Sequence, residues 1–238
     1  FKRNGKGVWK KMNGIDWSPV WISMKVAGIT MLITFFLGLG AAWFVCRRKK
    51  EISKAVWDGI FTMPLVLPPT VVGFVLLYLF GVNGPAGKFF LQFFGVKIAF
   101  SQTAAVLAAV VISFPLMYRS ARGAIEQVEP NLLRAGRTLG MTEWQIFYTI
   151  HIPNALPGII SGGILAFARA LGEFGATAMI AGNIPGKTRT LPLAVYSETA
   201  AGNMEMAGRY VVVILVICFG IVIGMNLYLA AKKKRTGH

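Results

Sequence analysis

The chain has 238 residues, 55% of them hydrophobic and only 14% charged, with a mean hydropathy of +0.60. A soluble domain of this length carries far more surface charge, and the apolar residues lie in runs long enough to cross a hydrocarbon core, for which roughly 20 residues suffice. The formal charge of +16 does not mark a nucleic-acid binder, because the cations sit in short blocks at the ends of apolar runs and no zinc-finger or aromatic RNP pattern accompanies them.

In chain order, a basic tail (1–18) carries Lys2, Arg3, Lys6, Lys10 and Lys11. The first expected span, Pro19–Cys46, exceeds a minimal crossing and is therefore tilted or partly outside the membrane. It ends in the stop-transfer block RRKK, 47–50. The second, Gly59–Phe80, contains MPLVLPPTVVGF, with Pro64, Pro68 and Pro69 inside a membrane segment. Each proline removes a backbone donor and kinks the helix. Freed carbonyls are tolerated there only against protein or a water-lined cavity. This segment, with Thr70, is thus expected to face other helices or a pathway; a kinked helix without a transport role is the plainer alternative. The third span is Ser101–Tyr118, the fourth Ala155–Ala181 and the fifth Tyr210–Ala231. Residues 19–231 then form one transmembrane domain, followed by a basic tail, 232–238. Cys46 and Cys218 make no disulfide framework or metal motif and read as small apolar packing residues.

Orientation follows from Lys and Arg. The 46–58 loop, the 119–154 loop and the C-terminal tail hold thirteen, against five in the two remaining loops. The side with thirteen is expected to be cytoplasmic, with the C-terminus inside and, after five crossings, the N-terminus outside. The five cations of the N-terminal tail run against this. The chain also starts at Phe1, which leaves room for an upstream helix.

The 182–209 stretch is not simply hydrophilic. TLPLAVYSETAAG reads as a helix with Pro192 near its start and Gly202 as its stop. It is too short to span, so it is expected on or partly in the outer surface. The 119–154 loop is more informative. VEPNLLRAGRTLG reads as a short helix with Pro130 at its first position and Gly140 just past its end. Leu132, Leu133, Gly136 and Leu139 share a face. TEWQIFYTIHIP opens a second helix, where Thr142 and Gln145 have capping-box spacing. Trp144, Phe147 and Ile150 make an apolar patch. Two amphipathic loop helices need a cover. A groove in a cytoplasmic partner is one; the protein's own helices cover some of these residues.

RAGRTLG at 134–140, followed by Ile150, His151, Ile152 and Pro153, resembles the loop of bacterial ABC-importer permeases. In that family the pattern is Glu-Ala-Ala, three residues, Gly, nine residues, Ile, one residue, Leu-Pro. The spacing matches throughout, while Arg134, Gly136 and Ile152 depart from it. Arg134 therefore does not inherit the role of the family's glutamate. SGGILAFARALGEFGATAMIAGNIPGKTRTLPLAVY and MPLVLPPTVVGF resemble the molybdate branch of the family, close to its tungstate and sulfate branches. The resemblance covers about 18–231. It implies an all-α polytopic bundle of the MetI-like permease type. It also implies a homodimer of permease chains, a separate dimer of ATPase subunits and an extracytoplasmic molybdate-binding protein. Glu129, Leu133, Arg134, Ala135, Gly136, Leu139, Gly140, Trp144, Phe147, Ile150 and Pro153 would couple to the ATPase. No cofactor is then expected in this chain, since Mg-ATP belongs to the ATPase. The competing reading is a channel or secondary transporter acting alone, for which inverted repeats would be the sign; none is detected.

Charges at membrane depth are costly and face protein or water. Arg169, 14 residues into the fourth span, and Glu173 at i+4 share a face and can pair. They read either as an ion pair that fixes packing or, with Thr177, as part of a pathway or gate. Lys25 lies near the end of the first span, where it can snorkel. His151 has no neighbour at ligand spacing. AGNIPGKTRT, 181–190, has the spacing of a relaxed phosphate loop. A working one needs a strand before it and a helix opening at its Lys-Thr; here a membrane helix precedes Pro185 and TRTLP follows Lys187. The match is read as a decoy, and Lys187 and Arg189 as contacts for the binding protein.

Overall fold

The computed structural model describes residues 14–235, so the cations expected in the tail before residue 14 lie outside the described residues. The first long helix, α1 (Ser18–Cys46), starts on Pro19 in its first turn and ends at Arg47, where the block of cations begins. It buries Ala27, Thr30, Thr34, Gly38 and Ala42, a stripe of small side chains at helical spacing. Without a hydrophobic force between apolar helices in lipid, close approach along such stripes drives association. The partner is α5 (Gln102–Glu126), which runs parallel to α1: Lys25 Nζ donates to Gln102 Oε1 at one end, 3.1 Å. Ser101 caps α5 by accepting the Ala104 amide. This third span runs two turns past the expected Tyr118, because Arg119, Arg122 and Glu126 keep helical geometry as a charged extension.

The second expected span is not one helix. α2 (Glu51–Val66) and α3 (Pro69–Phe80) meet at 104°. Leu67 and Pro68 are extended, with ψ of 140° and 134°. Residues before proline are pushed out of helical geometry, and two prolines in succession impose that twice. Three prolines were expected to kink a span; Pro68 and Pro69 divide it, while Pro64 stays inside α2. A short amphipathic helix, α4 (Pro85–Phe94), follows, ended by Gly95 at φ 64°.

The fourth expected span is also corrected. α6 (Pro130–Thr138) is followed by one rod from Glu143 to Leu171. That rod comprises α7 (Glu143–Ile146), a π-helical turn (Phe147–His151) and α8 (Ile152–Leu171). It starts twelve residues before the expected Ala155. It stops at Gly172, ten residues before the expected end is passed, and a six-residue helix, α9 (Gly175–Ile180), replaces the rest. Glycines 172 and 175 and a capping carboxylate at Glu173 explain the stop. α10 (Leu191–Ala200) precedes α11 (Met204–Arg235), whose apolar part, Met204–Gly224, is mostly uncovered by this chain.

Among the described residues four helices are thus long and apolar enough to cross a membrane, and a fifth crossing arises if the bent pair counts as one. α5 is the centre. α1 lies on one side, and α8 packs so closely on another that a Cβ on Gly158 or Gly162 would meet Ala124 or Ser120 of α5 at 2.6 or 2.5 Å. One buried cluster, including Ile22, Val26, Val72, Ala105 and Ile180, fills the half near the start of α1. The other, including Trp43, Met117, Tyr118, Ile125, Phe147 and Ile159, fills the basic half.

Candidate functional site

Two places stand out: the basic end, where α6 and α7 lie, and the interior, where two membrane helices are interrupted. At the basic end, Glu129 and Pro130 start α6, and Gly140 ends it at φ 75°. The Gly140 amide donates to the Arg137 carbonyl and the Met141 amide to that of Gly136, closing the last turn. A non-glycine residue is strained at this φ, which gives a physical reason for glycine four residues after Gly136. Thr142 then caps α7: its hydroxyl accepts the Gln145 amide, and Gln145 accepts the Thr142 amide at 2.7 Å. Arg137 reaches across to Glu143 at 2.9 Å, which ties the two helices.

Gly136 is buried, and a Cβ there would lie 2.8 Å from Ile150 Cδ1. The pairing of a small residue in α6 with an isoleucine 14 positions on is therefore one contact. Each of the two expected apolar faces divides. Leu133, Gly136, Phe147 and Ile150 turn inward, with the Phe147 ring 4.2 Å from that of Trp43 at the end of α1. Leu132, Leu139, Trp144 and Tyr148 turn outward, with Leu139 81% and Trp144 56% exposed. Arg134, Ala135 and Pro153 are exposed as well. Tyr148 was not among the expected residues, although its place one turn after Trp144 puts it on the same face; the two rings stack at 6.1 Å.

In the interior, the elbow between α2 and α3 and the break between α8 and α9 lie side by side. A Cβ on Gly175 would meet Pro69 Cβ at 3.0 Å, and one on Gly73 would meet Ala176 Cα at 2.7 Å. Glu173, 1% exposed at its side chain, places Oε2 2.8 Å from Arg169 Nη2, close but not aligned as a hydrogen bond. Its Oε1 accepts the Ala176 amide at 2.8 Å and so caps α9. The expected ion pair exists, though Arg169 closes α8 rather than sitting inside a continuous span. Thr177 is buried in α9. Pro68 and Thr70 are exposed and Pro64 and Pro69 half-buried on this elbow, where Val66 is 83% exposed. A second polar link was missed by sequence reasoning. Asp58 of α2 receives Arg122 of α5 at 2.7 Å and the Tyr118 hydroxyl at 3.0 Å. Asp58 read as loop charge because the second span was expected to start after it.

At the opposite end, 182–190 is a folded loop. The Ile184 carbonyl accepts the amides of Lys187, Thr188 and Arg189, and the buried Thr188 hydroxyl donates to the Gly182 carbonyl. The next helix opens at Leu191, so Lys187 and Thr188 have no helix N-terminus to offer a phosphate. Lys187 is exposed, whereas Arg189 is held by Asn183 at 2.9 Å, with Glu198 at 3.8 Å. Among the described residues no cluster of three His, Cys, Asp or Glu is placed to hold a metal.

The family described as binding-protein-dependent transport system inner membrane component matches residues 34–236. The molybdenum transport system permease protein ModB of Escherichia coli is 44% identical over 210 residues, covering 87% of this chain and 91% of that protein. The putative molybdenum transport system permease protein YvgM of Bacillus subtilis is 42% identical, covering 85% and 88%. Among solved structures, the inward-facing MetNI methionine ABC transporter matches with a TM-score of 0.71 at 18% identity, covering 96% of this chain and 99% of that one. A bacterial ABC transporter that imports alginate gives 0.73 at 14%, covering 97% and 84%. The likeness to these structures concerns the fold, which is that of ABC-importer permeases. With a family match over most of its length and several crossing helices, the chain is a multi-pass membrane protein and belongs to the binding-protein-dependent transport system inner membrane components.

Proposed function

We propose that this chain is the membrane subunit of an ATP-driven importer of molybdate. The observation that carries the coupling is the outward patch of Leu139, Trp144 and Tyr148, built on the foot of the rod that continues into the membrane. Exposed aromatic and aliphatic side chains on a rigid pair of helices suit the groove of a partner. That partner is a dimer of ATPase subunits, which holds Mg-ATP; this chain holds no cofactor. The basic end is cytoplasmic, the C-terminus lies inside, and residues 19–231 act as one domain. An extracytoplasmic binding protein delivers the anion near Lys187 and Arg189. A second copy of the chain covers the exposed elbow around Val66 and Thr70, so that the two elbows, with Arg169, Glu173 and Thr177 behind them, border the pathway. ATP drives the change only by favouring one conformation over the other.

The substrate rests on the relatives, which are named for molybdenum transport over most of their length. The test is uptake by the assembled transporter in vesicles. Molybdate should be taken up in an ATP-dependent manner and should outcompete a hundredfold excess of sulfate. Preference for sulfate or tungstate reassigns the substrate, and uptake without the ATPase defeats the reading. Leu139→Asp or Trp144→Ala should cost about 2 kcal/mol at a central contact, roughly 30-fold in ATPase affinity, and the exposed Leu139 variant should do so without changing the melting temperature.

A further inference from the structure

At the basic end, a cleft of about 670 Å³ opens between the end of α1, the end of α5 and α6. Trp43, Ile125 and Leu133 form its apolar wall; Arg47, Arg48 and Lys49 form its rim. Two acids also line it, and both are occupied: Glu126 pairs with Arg122 at 2.8 Å and Glu143 with Arg137 at 2.9 Å. Arg47, Arg48 and Lys49 have no acidic partner within 4.0 Å among the described residues, so the rim carries net positive charge. The two arginines are also held in position. The Arg47 guanidinium lies 5.4 Å from the centre of the Trp43 ring and that of Arg48 lies 4.1 Å from Phe44. Stacking fixes the planar forks without neutralising them. In the wall sits His151, 9% exposed and packed on Trp43; its Nδ1 has no hydrogen-bond partner among the described residues.

We propose that this cleft binds the headgroup of an anionic phospholipid, phosphatidylglycerol. The cations stand where α1 leaves the membrane, the depth at which a phosphodiester lies, and basic pockets between membrane helices suit such headgroups. Paired guanidinium forks match phosphate oxygens. The apolar wall accommodates the glycerol backbone, and the headgroup's hydroxyls supply a polar partner for His151 Nδ1. The ATPase is the weaker occupant, because the outward patch of Leu139, Trp144 and Tyr148 lies on residues that do not line the cleft. The site does not depend on the substrate carried.

Native mass spectrometry of the purified full chain, titrated with phosphatidylglycerol or phosphatidylcholine, tests this. The wild type should retain phosphatidylglycerol preferentially. Arg47→Gln and Arg48→Gln should each weaken it about fivefold, as expected for one cation near a membrane surface. Lys50→Gln, one residue outside the cleft, should have less effect. Single substitutions leave the charge bias between loops in place, so a topology change does not confuse the result. Equal retention of the two lipids, or unchanged affinity in both arginine variants, overturns the proposal. So does displacement of phosphatidylglycerol by millimolar inorganic phosphate, which would mark a soluble anion site, or its complete displacement by the ATPase, which would mark a protein interface.

Discussion

The two interruptions in the membrane helices touch each other, yet they are made by different means. The elbow between α2 and α3 is covalent: Pro68 and Pro69 forbid the helix to continue, whatever surrounds them. The break between α8 and α9 is conditional. Nothing at 172–174 forbids a helix outright; Glu173 holds the break by capping α9 while Arg169 balances its charge. A proline elbow thus stays broken in every state of the protein, whereas a break held by one carboxylate can be remade when that carboxylate loses its partners.

The largest expected effect separates the two. Glu173→Ala leaves the Ala176 amide without its acceptor and Arg169 without its counter-charge. With Glu173 buried and Arg169 30% exposed, breaking the pair and the cap together costs about 2 kcal/mol, measured as a fall in thermal stability of the purified protein. Glu173→Gln keeps an oxygen for the amide and should cost about half as much. Equal losses in the two variants would mean that the charge, and not the cap, holds the break. Gly73→Val comes next. Its Cβ would sit 2.7 Å from the Ala176 backbone, and overpacking of this kind costs about 1–3 kcal/mol. A stable Gly73→Val protein would show that the breaks separate freely. Arg169→Ala is expected to leave assembly intact and abolish uptake; normal uptake would confine Arg169 to packing. The smallest effect belongs to Pro68→Ala, below about 0.5 kcal/mol, because Pro69 still keeps residue 68 extended. Replacing both prolines should narrow the bend, read as a spin-label distance between α2 and α3.

The sequence carried most of the fold where chemistry is local. Pro130, Gly140, the Thr142–Gln145 box, Pro192 and Gly202 each mark a helix end through their own backbone or side chain, and the structure places the ends there. It carried less where the cause is distant. The stop at Gly172 depends on a buried Glu173 capping the next helix, and hydropathy alone runs on through GATAMI as one span. The same holds for the π turn. No motif announces the five-residue turn Phe147–His151. Asp58 was legible only as a charge, since its partners Tyr118 and Arg122 lie about 60 residues away.

The rod from Glu143 to Leu171 has no loop between its foot and its tip. From Glu143 to Arg169 is about 39 Å at 1.5 Å per residue. A push on the Trp144–Tyr148 face is therefore delivered to the ion pair at the far break as the tilt of a lever, without passing through flexible chain. The five-residue π turn near the foot is the joint at which such a lever can turn about its own axis.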